Sequence, residues 1–409
     1  MNSARTSQEE GLAPAELVGG LINKGFVSPL MNSARTSQEE GLAPAELVGG
    51  LINKGFVSPL MNSARTSQEE GLAPALSWVE NTVTINICDL KGWLPVDAVV
   101  VDGRPGLWWM EMAGVSLDEP FFQQTVDRAK HDKRGKLFTE FDVLLQLEKT
   151  LESVPPTGFI FHSSRCGSTL VANACRAIAN SIVLSEAPAI DKLIARFFTD
   201  AAEGGVKESL YSIFLRGVVH ALGQRRTGKE QHLFIKFACT SFAQIDRITR
   251  IWPYVPWIFL YRDPVETVVS NLNVPPAWLL DDDWRVLASM IGVTPGEVAA
   301  MSLEERCARS IGNLYSRAVA LANDNGMLLN YNQLSISGVL EFFKVSTSPR
   351  ELEAIARTRG IYSKEVSGTR PFVADADAKQ NLASDLIRKA TEAWSNEAYQ
   401  RLEQKRLRQ

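Results

Sequence analysis

Apolar and polar positions change their period along this chain in a way that separates two kinds of element. From Gly158 onward, short runs with few charges alternate with longer stretches whose apolar residues recur every three or four positions. The short runs are 158–162 (GFIFH), 182–186 (IVLSE), 232–237 (HLFIKF), 257–261 (WIFLY) and 327–331 (MLLNY). Consecutive apolar positions over so few residues predict strands buried on both faces. The intervening stretches, near 168–180, 189–199, 206–222, 241–251, 264–273 and 302–323, predict helices. Short strands separated by helices predict an α/β domain over 157–409, three-layered and doubly wound, with a parallel sheet flanked by helices.

Residues 76–156 have a different pattern and predict a small α+β unit. Thr82–Cys88 (TVTINIC) alternates as a strand does, and Ala98–Met112 predicts a hairpin around Asp102-Gly103-Arg104-Pro105-Gly106. Helices are expected near 120–131 and 138–153, and Pro155-Pro156-Thr157-Gly158 marks the boundary. Trp93, Trp108 and Trp109 are read as core of this unit rather than as a ligand wall. At the far end, 381–408 predicts an amphipathic helix whose closing Lys405, Arg406 and Arg408 suit its dipole.

The first 75 residues change the domain arithmetic. Residues 1–30 recur identically as 31–60, and 61–75 repeat the first half of the unit, each copy opening with Met (Met1, Met31, Met61). A repeat without a single drifted residue reads as a recent duplication or a cloning artefact, and is set aside as artefactual or disordered. About 330 of the 409 residues then remain, enough for one sizeable core and a small appendage.

Charge and cysteine usage narrow the functional classes. With 43 basic and 47 acidic residues, no global positive field argues for nucleic acid. No apolar run approaches the ~18–20 residues of a membrane span. The N-terminus lacks a secretory pattern, and the five cysteines (Cys88, Cys166, Cys175, Cys239, Cys307) show no CxxC spacing. A cytoplasmic protein with no zinc site is the expectation. The four histidines, His131, His162, His220 and His232, are dispersed and form no metal-ligand pair at helical spacing.

The segment His162-Ser163-Ser164-Arg165-Cys166-Gly167-Ser168-Thr169-Leu170 follows the first β run and opens a helix supported by Leu170, Val171, Ala174, Cys175 and Ile178. A strand, a Gly/Ser loop and a helix start bring free backbone N–H groups and the positive dipole end to one point, which favours a phosphate-like anion. The loop is P-loop-like: against GxxxxGK(S/T), Gly167 and Thr169 fit, while His162 replaces the first Gly and Ser168 replaces the Lys. The cation comes instead from Arg165, two residues before the Gly. Tight gripping of β/γ-phosphates with Mg²⁺ is therefore not expected.

A second anchor follows the fourth β run: Tyr261-Arg262-Asp263-Pro264, then Ser270 eight residues after the Arg. Arg262 stands at the carboxyl end of a strand, where α/β folds bind ligands, and an Arg fork with a hydroxyl suits a fixed phosphate. Together the two segments resemble the sulfotransferases that use 3′-phosphoadenosine 5′-phosphosulfate (PAPS). The resemblance covers about 157–345. It implies that Arg165, Cys166, Gly167, Ser168 and Thr169 hold the 5′-phosphosulfate, that Arg262 and Ser270 hold the 3′-phosphate, and that no metal takes part. Arg165, where the cytosolic small-molecule members have Lys, and the lack of a C-terminal Arg-Lys-Gly segment make the chain more similar to the tyrosylprotein and bacterial branches. Cys166 stands where the family has Ser or Gly; direct transfer in the family implies no covalent role for it.

Attack on sulfur by a hydroxyl needs a base near the loop. Glu186 closes the second β run 21 residues after Arg165, and tyrosylprotein-type relatives carry their catalytic Glu at a similar spacing. Its other reading is a helix-start Glu before Ala187-Pro188; His162 is the second candidate base. Lys236, ending the third β run, is read either as a sulfuryl contact or as the partner of a carboxylate. Tyr331 resembles the family's Tyr near the cofactor, and Ser363, Lys364, Arg370 and Lys379 form a basic tail of the kind with which some family members clamp the 3′-phosphate. The stretch 271–303, with Trp278 and Trp284, is placed where acceptor lids are built; Asp281-Asp282-Asp283 reads as a solvated helix start. The function implied is sulfuryl transfer from PAPS to a hydroxyl or amine on a small-molecule or tyrosyl acceptor. A P-loop-like small-molecule kinase and a non-catalytic PAP-binding protein stay open beside it.

Overall fold

The computed structural model describes residues 90–198, 206–359, 364 and 375–409. The repeats and the Thr82–Cys88 strand, together with Ser363 and Arg370, lie outside the described residues.

A three-stranded sheet comes first, in the order β1 (Trp93–Val101), β2 (Arg104–Glu111), β3 (Lys136–Glu140). The turn between β1 and β2 is Asp102-Gly103, both with positive φ (49° and 79°), the geometry that a two-residue hairpin with natural strand twist requires. β3 runs antiparallel to β2, pairing Trp108 with Phe138. The helix expected over 138–153 is thus a strand followed by a shorter helix, Leu144–Thr150. The run KLFTE has the alternation of a strand, and the apolar positions from Leu144 on carry the helix. Trp109 is fully buried and its indole donates to Thr139 Oγ1 at 2.8 Å, while Trp108 packs edge-on against Phe138. Trp109 serves the core, while Trp108 is half-buried on the other face with Lys136 Nζ over its ring at 3.8 Å.

The main sheet has five parallel strands: β4 (Gly158–His162), β5 (Ser181–Ser185), β6 (His232–Lys236), β7 (Trp257–Tyr261) and β8 (Gly326–Asn330). Their order across the sheet is β5-β6-β4-β7-β8. Ile160 pairs with Lys236 on one side and Ile258 on the other. The two faces follow from the period of two along each strand. Phe159, Phe161, Trp257, Phe259 and Tyr261 point one way and meet Phe237, Phe242 and Tyr315, with Phe161 stacked on Phe237 at 4.7 Å. Ile160, Ile258 and Leu260 point the other way, into an aliphatic layer with Val171, Cys175 and Val339.

Helices cover both faces. Ser168–Arg176 follows β4, Val206–Leu222 leads to β6, and Pro264–Asn273 follows β7. The last of these starts with Pro264 in its first turn and Asp263 as N-cap, whose carboxylate accepts from the Glu266 N–H at 3.1 Å. The helix expected over 381–408 is two, Asp385–Trp394 and Asn396–Arg406, broken at Ser395. At the break the Trp394 carbonyl lies against Gly312 of the helix Leu303–Leu321, where a Cβ would stand 1.9 Å from it. Close docking of the two helices fixes the break.

Because all five strands run the same way, their carboxyl ends share one edge. The connection leaving β4 goes toward β5, and the one leaving β7 goes toward β8 on the opposite side. The crevice between the ends of β4 and β7 is therefore the topological switch point, where open α/β sheets bind ligands.

Candidate active site at the switch point

The β4 loop turns on left-handed backbone. Ser164 (φ 71°), Arg165 (φ 51°) and Gly167 (φ 86°) all have positive φ, a cost of roughly 1–2 kcal/mol for each non-glycine residue. Such a turn directs successive amide N–H groups toward one concavity at the start of the Ser168 helix. At Gly167 a side chain is also excluded by contact: a Cβ would stand 2.6 Å from the Tyr331 ring.

His162 holds this loop from beneath. Its Nδ1 accepts the Ser164 N–H at 3.0 Å, so the neutral ring carries its proton on Nε2, which faces Glu186 Oε1 at 3.5 Å. Burial keeps the imidazole below its ordinary range, against the pull of Glu186. With one nitrogen accepting from the backbone and the other protonated, His162 has no lone pair to offer an acceptor.

Cys166 turns inward. Its thiol is fully buried in the aliphatic layer and donates to the Leu260 carbonyl at 3.2 Å. Burial pushes the thiol up, the opposite of what a nucleophile needs. Ser168 and Thr169 are buried at the first turn of the helix.

The two sequence anchors meet through the helix Pro264–Asn273. Ser164 Oγ donates to Asn271 Oδ1 at 2.8 Å, and Arg165 Nη2 donates to the Val274 carbonyl at 2.6 Å. Arg262, Glu266 and Ser270 succeed one another at four-residue spacing and so share one side of this helix and its entry. Arg262 is 4% exposed. Its Nε pairs with Glu266, its Nη2 lies 3.0 Å from Asp375 Oδ1, and its guanidinium covers the Tyr331 ring at 4.7 Å. Tyr331 thus lies between Gly167 and Arg262, joining the two anchors. Its phenol is raised, by burial first and against the pull of Arg262.

Glu186 stands at the end of β5 with a positive φ of 51°. A reciprocal pair holds it there: its N–H donates to the Lys236 carbonyl at 2.7 Å, and Lys236 Nζ donates to its Oε1. Burial works to raise the carboxyl, but Lys236 and His162 outweigh it and hold Glu186 well below the usual carboxylate range. Lys236 is 1% exposed and sits over the Phe121 ring at 4.6 Å. Of the two roles open to Lys236, the structure places it with the carboxylate.

Two further charges belong to this neighbourhood. Lys364 feels Arg165, Lys236 and Glu186; burial and the two cations bring its ammonium down to about 8. Asp191, five residues beyond Glu186, accepts from the Ala238 N–H at 3.0 Å and the Ser241 hydroxyl at 2.8 Å. Burial, with some help from Glu186, pushes its carboxyl up to about 7. Sequence reading placed Lys364 only in a general basic tail and did not single out Asp191, Glu266 or Asp375. Glu266 had a signal, its four-residue spacing from Arg262; Asp375, 113 residues away, had none. Of the acidic run 281–283, Asp283 caps the helix Trp284–Ile291 and grips Arg285 at 2.8 Å. Among the described residues no group of three or more metal-ligating side chains comes together, and no helix is long and apolar enough to cross a membrane.

No protein-family model matches the chain, and no curated protein matches it either. Solved structures to which it is similar are sulfotransferases. A sulfotransferase domain from the curacin biosynthetic pathway shares 14% identity over 62% of this chain and 98% of its own, with a TM-score of 0.33. The sulfotransferase STF1 of Mycobacterium tuberculosis H37Rv shares 10% over 69% and 88%, with a TM-score of 0.35. A sulfotransferase from Alicyclobacillus acidocaldarius shares 14% over 56% and 99%, with a TM-score of 0.28. Likeness of this degree carries no functional conclusion.

Proposed function

We propose that this chain is a sulfotransferase that moves the sulfuryl group of PAPS to a hydroxyl or amine acceptor by direct in-line displacement. One observation carries the reading. Arg165 sits in a left-handed loop at a helix start and is tied to Val274, just past the helix that begins beside Arg262, while Lys364 feels the positive charges of Arg165 and Lys236. Like charges gathered beside a helix start suit an anion that brings its own negative charge.

In this reading the loop amides and Arg165 hold the phosphosulfate, while Arg262 and Ser270 receive the 3′-phosphate. The acceptor oxygen forms a bond to sulfur as the sulfur–phosphate oxygen bond breaks, and PAP leaves with that electron pair. Glu186 takes the acceptor's proton. Its pairing with Lys236 makes it a weak base at rest. Once Lys236 shares its ammonium with a sulfuryl oxygen, the hold on Glu186 loosens and its proton affinity rises. Catalysis then rests on positioning and charge stabilisation.

Calorimetric titration with PAP, set against ADP and ATP·Mg²⁺, tests the reading. PAP binding is expected, with Arg165→Ala abolishing transfer in a folded protein and Arg262→Ala raising the KM for PAPS. Preference for ATP·Mg²⁺ would turn the assignment to a kinase. Tight PAP binding without transfer to any acceptor would turn it to a PAP-binding protein.

A further inference from the structure

The Arg262 cradle is already filled. Asp375 places Oδ1 at 3.0 Å from Arg262 Nη2 and Oδ2 at 2.9 Å from Lys379 Nζ, so one carboxylate bridges two cations as a phosphate would. Asp375 is also the N-cap residue of the helix Ala376–Leu382, yet its side chain makes no cap hydrogen bond. An Asp at that position ordinarily turns back onto the helix's own N–H groups; here it is diverted outward to Arg262. The helix behind it is anchored, with Gln380 Nε2 donating to Asp263 Oδ1 at 3.0 Å and the Lys379 N–H donating to the Asp375 carbonyl.

The two carboxylates on Arg262 differ in kind. Glu266 is 7% exposed and lies four residues along in sequence, so it is a fixed part of the cradle. Asp375 is 47% exposed and belongs to a separate segment. It can swing into water without opening the core, and its departure would leave Arg262 and Lys379 with an unbalanced positive charge.

We propose that Asp375 is an internal competitor for the anion cradle of Arg262 and Lys379, displaced when a nucleotide bearing a ribose 3′-phosphate binds. The proposal rests on the placement of the 3′-phosphate given above. It makes Asp375 a regulator of cofactor affinity rather than a contact to the cofactor, and it predicts discrimination: a nucleotide lacking the 3′-phosphate has no contest with Asp375.

The experiment is calorimetry with PAP and with adenosine 5′-phosphate on the full chain, its Asp375→Asn and Asp375→Ser variants, and Arg262→Ala. Removing the competing charge should tighten PAP about tenfold, within the usual range of coupling between sites, and leave adenosine 5′-phosphate unchanged. Two substitutions at a half-exposed position, each checked by thermal melting, separate the effect from misfolding. Unchanged or weaker PAP binding in both variants overturns the proposal and makes Asp375 an orienting partner of Arg262. Should the unmodified chain bind PAP no better than adenosine 5′-phosphate, and Arg262→Ala alter neither, the placement of the 3′-phosphate itself is wrong and the proposal falls with it.

Discussion

Replacing Lys236 by Met removes the ammonium and keeps most of the volume, so it isolates the charge that holds Glu186. Breaking a fully buried ion pair by deleting one partner costs about 3–5 kcal/mol. Here the side chain left behind is 32% exposed, so water recovers part of that, and about 2 kcal/mol is the expected loss at pH 7. For a domain of this size that corresponds to a fall in Tm of about 4 °C. The pH dependence identifies the cause. In the parent protein the folded-state carboxyl of Glu186 lies below its ordinary value of 4.5, so its contribution is full above that value and is lost as pH falls toward the folded pKa. Without Lys236, burial raises the same carboxyl, and its contribution changes sign: acidification relieves it. The stability difference between the two proteins should therefore be largest at pH 7 and shrink as pH falls through the region near 4.5. Urea denaturation at a series of pH values measures this, and Glu186→Gln combined with Lys236→Met should recover part of the loss. A difference within about 0.5 kcal/mol, or one that stays constant with pH, would refute the account of how Glu186 is held.

Three other outcomes follow from the same geometry. Gly167→Ala forces a Cβ onto the Tyr331 ring at 2.6 Å from a φ of 86°; a loss of about 2 kcal/mol and a collapse of PAP affinity are expected by thermal melting and calorimetry. Asp191, with a folded-state carboxyl near 7, penalises the folded state once ionised. Stability should fall as pH rises from the ordinary aspartate range toward 7, and Asp191→Asn should flatten that slope in denaturant titrations. Cys166→Ser should retain sulfuryl transfer, and iodoacetamide should label the folded protein at Cys166 far more slowly than the urea-unfolded one, because the thiol is fully buried.

The strands were legible because each is short, buried on both faces and poor in charge. Gly158–His162 and Trp257–Tyr261 fall on the expected residues, and Ser181–Ser185 and Gly326–Asn330 are displaced by one. Periodicity marked Val206–Leu222 and Pro264–Asn273 just as closely, the second helped by an Asp-Pro start. It failed where two elements share one apolar run, as at 138–153, and where a helix is interrupted by a distant contact, as at Ser395 against Gly312. At the candidate site, motif reasoning singled out the loop and Arg262 because their pattern is local in sequence. It could not see that Lys236 and Glu186 bond reciprocally, or that Asp375 completes the surroundings of Arg262, since those contacts depend on strand order and on tertiary docking. Nor could it assign the face of Cys166: only the left-handed turn decides that this thiol enters the core while its neighbours face the crevice.

The strand order also dictates what happens while the chain is being made. β4, the central strand, leaves the ribosome first, yet both its neighbours, β6 and β7, are encoded well after it, β7 ending at residue 261. At about 5–20 residues per second, Phe159-Ile160-Phe161 waits roughly 5–20 s before both of its hydrogen-bonding edges can be covered. The small sheet waits as well, because Gly92 is tied to Gln224, 132 residues downstream. Yield of soluble protein should therefore respond to chaperone supply and synthesis rate more than to gains in native-state stability, since the vulnerable interval closes before the native state exists.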